Sequence, residues 1–353
     1  MQKINNEKKY NLSIISQYRG ALFGLSIISI IVFHYFNDVM SWRRHDVIYK
    51  MARIYYQMFG SIGVEIFLFL SGVGLYFSMS KNPDIKFFYE KRLKRVAIPY
   101  VLWGVFYWAF RDFLLTGEEF GQYVSDLTLF SFWETGKRTF WFIAFILLAY
   151  LAFPFLFRMM NREIKGRHAQ GLICALICVV WVAFCSLLDL LNHEHYDLIE
   201  VALSRLPIFV IGIWYGKKIR NKEKFGAVEN ILTVFGLALI ALKILLIKDV
   251  IDVDFKLHNR FLACFFSISL LFLLCCLLER LHSAKLNKVL TFIGTYSLEL
   301  YLTHVSIRGV FMLCGIRTHR LIILLSYLLL SAVFSFLLHL ATEKIIHSGT
   351  VQK

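Results

Sequence analysis

Four ionisable side chains interrupt segments that are otherwise apolar: His34 in SIISIIVFHYF, Glu65 in GSIGVEIFLFLSG, Arg205 in ALSRLPIFVIG and His304 in YSLELYLTHVS. Charge inside hydrocarbon is costly, so groups of this kind mark chemistry, ion pathways or interhelical contacts. Taken alone, His34 supports two roles, a catalytic base or an interhelical hydrogen-bonding residue. A second group lies in basic segments, with Arg19 before the first apolar stretch and Lys91, Arg92, Lys94 and Arg95 before the third. On a helix Arg92 and Arg95 are i, i+3 neighbours, so both guanidinium forks can face one anionic ligand such as phosphate. The same residues also serve as positive-inside anchors. Ser297, Tyr301 and His304 are spaced i, i+4, i+7 and share one helical stripe, which can line a pocket or a helix contact. His193 and His195, expected in an external loop with no matching ligand cluster, read as solvated, and no metal site is expected.

The elements that must position these residues are set by composition. Apolar types make up 58% of the chain, charged types 18%, mean hydropathy is +0.62, and phenylalanine occurs 34 times. About 20 helical residues cross a hydrocarbon slab of about 30 Å. The chain supplies about ten blocks of that order, near 20–39, 59–80, 96–115, 140–157, 169–191, 201–216, 226–247, 259–279, 289–307 and 321–342. They are continuously apolar rather than alternating, which selects helices over a barrel. The expected fold is therefore an all-α polytopic membrane protein.

Basic residues are retained on the cytosolic side during insertion. The alternate connections 81–95, 158–168, 217–225 and 280–288, with Lys3, Lys8, Lys9 and Arg19 before the first helix and Lys344 and Lys353 after the last, hold 24 of the 39 Lys and Arg. This predicts an even number of spans with both termini in the cytosol, although MSWRRHDVIYKMAR on the other side is a basic exception. The net charge of +15 is then a topology signal plus attraction to anionic lipid, and it does not suggest nucleic acid. On this topology His34 and His304 each lie about 15 residues from the cytosolic end of a helix, or about 22 Å. Glu65 and Arg205 lie about 8 Å in from the outside, so all four are expected at similar height in the outer half.

Residues 1–18 form a cytoplasmic segment ahead of a retained signal anchor, 19–343 the membrane domain and 344–353 a cytoplasmic tail. The seven cysteines fall within or at the ends of apolar blocks without metal-ligand spacing and read as small packing residues.

These segments, in this order, resemble the acyltransferase 3 family of bacterial membrane O-acyltransferases over nearly the whole chain. RGALFGLSIISIIVFH is similar to the family's first helix, with a small residue ten positions before the histidine. GVEIFLFLSGVGLYFS resembles its second-helix signature, KRLKRVAIPYVLW its basic entry to helix 3, WFIAFILLAYLAFP its W-F…Y…P helix, and GTYSLELYLTH its S-x-x-x-Y-x-x-H segment. Many members place Arg or Lys eleven positions before the helix 1 histidine, where this chain has Phe23. Arg19 lies one turn earlier on the same face and takes the family role here.

The resemblance implies a bacterial inner-membrane enzyme that binds an acyl-CoA donor, most commonly acetyl-CoA, from the cytosol and acylates a hydroxyl of a cell-envelope or exported glycan. His34 becomes the central base, a role that neutral imidazole suits, and Glu65 the carboxylate that could orient its ring. Arg19, Arg92 and Arg95 become donor-binding residues. Arg205, Trp141, Glu299, Tyr301 and His304 become candidates for substrate contact, although packing between helices explains each of them as well. Tyr150, Phe142 and Ser297 carry less weight. Partners are then membrane lipid and a glycan or lipid-linked acceptor. The competing class is a transporter or flippase for such an intermediate, with His34, Glu65 and Arg205 as its pathway. Against it, Pro83, Pro99, Pro154 and Pro207 all sit near predicted helix ends. A channel or assembly scaffold is the third class and predicts no dependence on coenzyme A.

Overall fold

The computed structural model describes residues 11–42, 46–60, 62–162, 169–247, 256–316 and 320–348. Among these, helices are the only regular elements, beside one isolated antiparallel bridge between Asn11 and Lys224. In chain order they are α1 (Ser13–Gln17), α2 (Arg19–Trp42), α3 (Val47–Phe59), α4 (Ile62–Lys81) and α5 (Ile85–Ala109), which runs into a π-helix (Phe110–Thr116). The connection after it holds α6 (Phe120–Leu127) and α7 (Phe130–Thr135), followed by α8 (Trp141–Asn161), α9 (Ala169–Leu191), α10 (His193–Leu203) and α11 (Leu206–Arg220). The chain closes with α12 (Ala227–Ile247), α13 (Lys256–Leu281), α14 (Ala284–Thr295), α15 (Ser297–Leu313) and α16 (Leu321–Ser348).

Among the described residues seven helical segments are long and apolar enough to cross a membrane. The other three blocks expected from the sequence are also helical. Residues 96–115 lie in α5 and the π-helix, 226–247 in α12, and 289–307 are divided between α14 and α15 at Tyr296, next to the poor helix formers Gly294 and Thr295. Lys3, Lys8, Lys9 and Lys353, and parts of the connections 158–168 and 248–258, lie outside the described residues.

Two crossings hold the centre together. α4 packs on α11 and α2 on α14 more closely than any other pair of helices, and glycine makes both approaches possible. A Cβ on Gly72 or Gly212 would strike the backbone of the other helix at Phe209 or Phe69, and one on Gly216 would strike Tyr76. On the other crossing, a Cβ on Gly24 would strike Leu290 and one on Gly294 would strike Gly20. Gly20/Gly24 and Gly212/Gly216 are both small-xxx-small pairs, which bring membrane helices to backbone contact. α4 is buried along most of its length, whereas α9 and α16 expose rows of Leu, Val, Ile and Phe as lipid-facing helices do.

Several sequence expectations change here. The basic stretch 85–95 is helix, not loop, because Asp84 caps α5 by accepting from Lys86 N at 2.8 Å and Phe87 N at 3.2 Å. The connection before α4 contains α3, capped by Asp46, which accepts from Tyr49 N at 2.7 Å. His193 and His195 begin a helix, and the His193 ring pairs with Asp189 at 2.7 Å.

Pro99 and Pro154 lie inside α5 and α8 rather than near helix ends. Arg205, expected within a continuous helix, sits at the break between α10 and α11, where Pro207 opens the new helix. Proline cannot donate to the carbonyl four residues back. The carbonyl thus freed, on Leu203, accepts instead from Trp181 Nε1 at 2.7 Å.

Candidate active site

The two membrane histidines meet. The His34 and His304 rings lie 5.4 Å apart, centroid to centroid, where α2 faces α15. His304 Nδ1 is 2.6 Å from the Leu300 carbonyl oxygen, so this nitrogen carries the proton and Nε2 holds the lone pair. That Nε2 is buried and has no hydrogen-bond partner among the described residues. An unpaired acceptor of this kind is costly to keep inside a fold, and it suits an incoming hydroxyl.

Four residues beyond each histidine, one turn along its helix, lie Asp38 and Arg308. Arg308 Nε reaches both Asp38 oxygens at 2.9 and 3.0 Å, and its Nη2 also donates to Oδ1. Sequence reasoning missed this pair because Asp38 falls at the end of the 20–39 block and Arg308 just beyond the 289–307 block. The signal was present as matched i, i+4 spacing from both histidines.

Glu65 and Arg205 also meet, but not at the histidines. Arg205 Nε is 3.5 Å from Glu65 Oε1, its guanidinium lies 4.8 Å from the Trp141 ring centroid, and its Nη1 donates to the Val201 carbonyl at 2.5 Å. Both side chains are almost fully buried. Glu65 Oε2 further accepts a long contact from Cys264 Sγ at 3.9 Å, and the neighbouring pair Arg260–Glu200 closes at 2.6 Å. Glu65 makes no hydrogen bond to His34 among the described residues; its carboxylate faces Arg205, with Oε1 and Nε both buried and neither hydrogen-bonded.

Aromatic rings in successive contact connect the regions. Trp141 and Phe142 are 6.2 Å apart, Phe142 and Tyr301 5.3 Å, and Tyr301 and His304 6.0 Å. Tyr301 is held at its hydroxyl, which accepts from Phe142 N and donates to the Thr139 carbonyl, both at 3.4 Å. The same series runs toward the N-terminal end of α2 through Phe67, 5.4 Å from Phe142, to Phe23, 4.8 Å from Phe67. Arg19 lies 5.2 Å from the Phe23 ring centroid.

Arg19 is thus the far end of an aromatic series whose other end is His34. It stands with Arg92, Arg95 and Tyr150, close enough for their charges to interact. Among the described residues none of the three arginines has a carboxylate partner, and the Nε atoms of Arg19 and Arg92 are buried and unpaired. Burial pushes the Arg92 guanidinium below its ordinary value; the Tyr150 hydroxyl opposes that shift and the charge of Arg95 adds to it. Packed like charges of this sort gain from a bound anion. Pro99 and Pro154, both buried, leave the carbonyls of Arg95 and Tyr150 without their usual helical donors, so the same region also offers acceptors.

Glu299 sits apart from the histidines, accepting from His339 Nδ1 at 2.9 Å, with the Tyr296 ring edge-on to His339 at 4.7 Å between centroids. Ser297 is buried at the start of α15. The comparisons agree with the architecture: residues 24–340, nearly the whole chain, match the acyltransferase 3 family, described as an acyltransferase domain. No curated protein and no solved structure matches the chain.

Proposed function

The chain belongs to the acyltransferase 3 family, and from that premise we propose that it is an O-acyltransferase drawing an acyl group, acetyl first among candidates, from acyl-CoA. The acceptor is a hydroxyl of a cell-envelope or exported glycan. It works as a ten-helix protein of the bacterial cytoplasmic membrane with both termini in the cytosol, and the helical state of all ten apolar blocks supports that count.

The observation that carries the reading is the cluster of Arg19, Arg92 and Arg95, arginines without carboxylate partners among the described residues, where a donor bearing several phosphates would enter. Guanidinium forks hold phosphate oxygens by charge-assisted bonds. Arg19 and His34 stand on one helix, about 22 Å apart along its axis, and the rings between them mark the course for the donor's acyl-bearing arm. In the reaction the acceptor oxygen attacks the thioester carbonyl while its proton passes to His34. The C–S bond breaks, and the imidazolium gives its proton to the departing coenzyme A sulfur, which leaves as the thiol. The buried lone pair of His304 Nε2 is a second acceptor beside His34, suited to a neighbouring hydroxyl of the glycan rather than the attacking one. Arg205, beside Glu65 and Trp141 and joined to the histidines only through Phe142 and Tyr301, contributes a cation for acceptor oxygens away from the reacting carbonyl.

Binding of a nonhydrolysable acyl-CoA analogue to purified protein tests the donor assignment. Saturable binding, competed by coenzyme A and weakened by added salt, is the expected result. No binding by well-folded protein overturns it and returns the family fold to another donor.

A further inference from the structure

We propose that Asp38 and Arg308 are positioning residues, an outer latch that sets the spacing of the His34 and His304 rings. The proposal rests on the reading of the histidine pair as the site of proton transfer. Its evidence is the way α2 is held. Along its cytosolic half α2 lies against α14 at backbone contact, through Gly20, Gly24 and Gly294. Past the break at Tyr296 the chain continues as α15, and α2 packs on α15 much more sparsely. The histidines face each other in this looser stretch. One turn further out, Arg308 grips both oxygens of Asp38 through Nε and Nη2. A fork on a carboxylate fixes angle as well as distance.

The burial pattern fits a latch better than a surface ion pair. The Asp38 side chain is 3% exposed and the Arg308 side chain 16%, so water is kept from the carboxylate and reaches the guanidinium over a small part of its surface. α15 is anchored on other sides by Trp103 Nε1 donating to Ser306 Oγ at 2.8 Å and by Thr303 Oγ1 donating to the Ser331 carbonyl at 3.0 Å. Those bonds tie it to α5 and α16. The ion pair ties it to the helix that carries His34.

The test replaces both charges together, Asp38→Asn with Arg308→Gln, so that no unpaired charge remains buried. Two readouts are taken. The first is disulfide formation after His34→Cys and His304→Cys, with and without the latch substitutions, which needs no acyl transfer. The second is the kinetics of the latch variant with both histidines intact. The latch predicts cross-linking slowed at least fivefold, and kcat for acyl transfer lowered at least tenfold with KM for acyl-CoA unchanged. Undiminished cross-linking together with wild-type kcat in a folded double variant overturns it. Where the double variant does not accumulate, Arg308→Lys keeps the charge and removes the fork, and the latch then requires slower cross-linking and lower kcat at unchanged Tm. Wild-type values for that variant overturn the proposal. If wild-type protein transfers no acyl group, the functional reading fails, and cross-linking alone still decides the latch.

Discussion

Arg92 and Arg95 show how far a residue's meaning depends on its neighbours. On sequence grounds the pair serves equally as topology anchor or phosphate fork, because both uses need only positive charge near the cytosol. What separates the uses is pairing: an anchor is free to find lipid or carboxylate, whereas these side chains converge with Arg19 and Tyr150. Arg92→Ala with Arg95→Ala is expected to weaken acyl-CoA binding by about 1.5–3 kcal/mol for each charge-assisted hydrogen bond removed, read by titration on correctly inserted protein. Unchanged affinity makes both plain anchors. Arg19 was legible because it lies one turn from Phe23 on the same face, and its guanidinium does reach that ring. Asp38 and Arg308 were not, since each lies at the edge of an apolar block, where a charge ordinarily means the helix has left the membrane. The converse holds for Lys218, which the sequence places among the loop cations: it is buried, pairs with Glu229 and lies 4.9 Å from the Trp214 ring centroid.

Helix existence followed from hydropathy, but helix breaks followed from details that hydropathy averages away. Pro207 reads as a helix end in sequence and does open α11, although nothing in the hydropathy marks the companion break at Ser204 and Arg205. Its consequence is energetic, since Trp181 must satisfy the Leu203 carbonyl. Trp181→Phe leaves that carbonyl bare at a cost of about 1–3 kcal/mol, which a fall in Tm with unchanged donor affinity would register. Pro99 and Pro154 went the other way, lying inside helices where adjacent packing tolerates them. The glycine crossings were also open to reading, as G-A-L-F-G at 20–24 and G-I-W-Y-G at 212–216. Gly24→Leu puts a side chain into the Leu290 backbone, and overpacking of this kind costs about 1–3 kcal/mol or more. Loss of monodisperse protein is the expected outcome, with Gly24→Ala milder, and a wild-type Tm for Gly24→Leu would show that α2 and α14 are not held by that crossing.

For the whole molecule, the proposed arrangement is two-sided: a cationic entrance at the cytosolic end of α2 and an imidazole pair toward its outer end. Cysteine labelling from outside is expected to miss positions in 81–95 and to reach 116–139; strong external labelling near Lys91 inverts the topology and moves the donor site to the wrong face. The central claim is that proton transfer, not folding or donor capture, is what His34 supplies. Purified His34→Gln protein keeps a polar side chain at that position but cannot take up the hydroxyl proton. It is expected to be as monodisperse as wild type, to bind acyl-CoA with the same affinity, and to transfer the acyl group about 10²- to 10⁴-fold more slowly. Transfer at the wild-type rate by folded, donor-loaded His34→Gln protein contradicts the account.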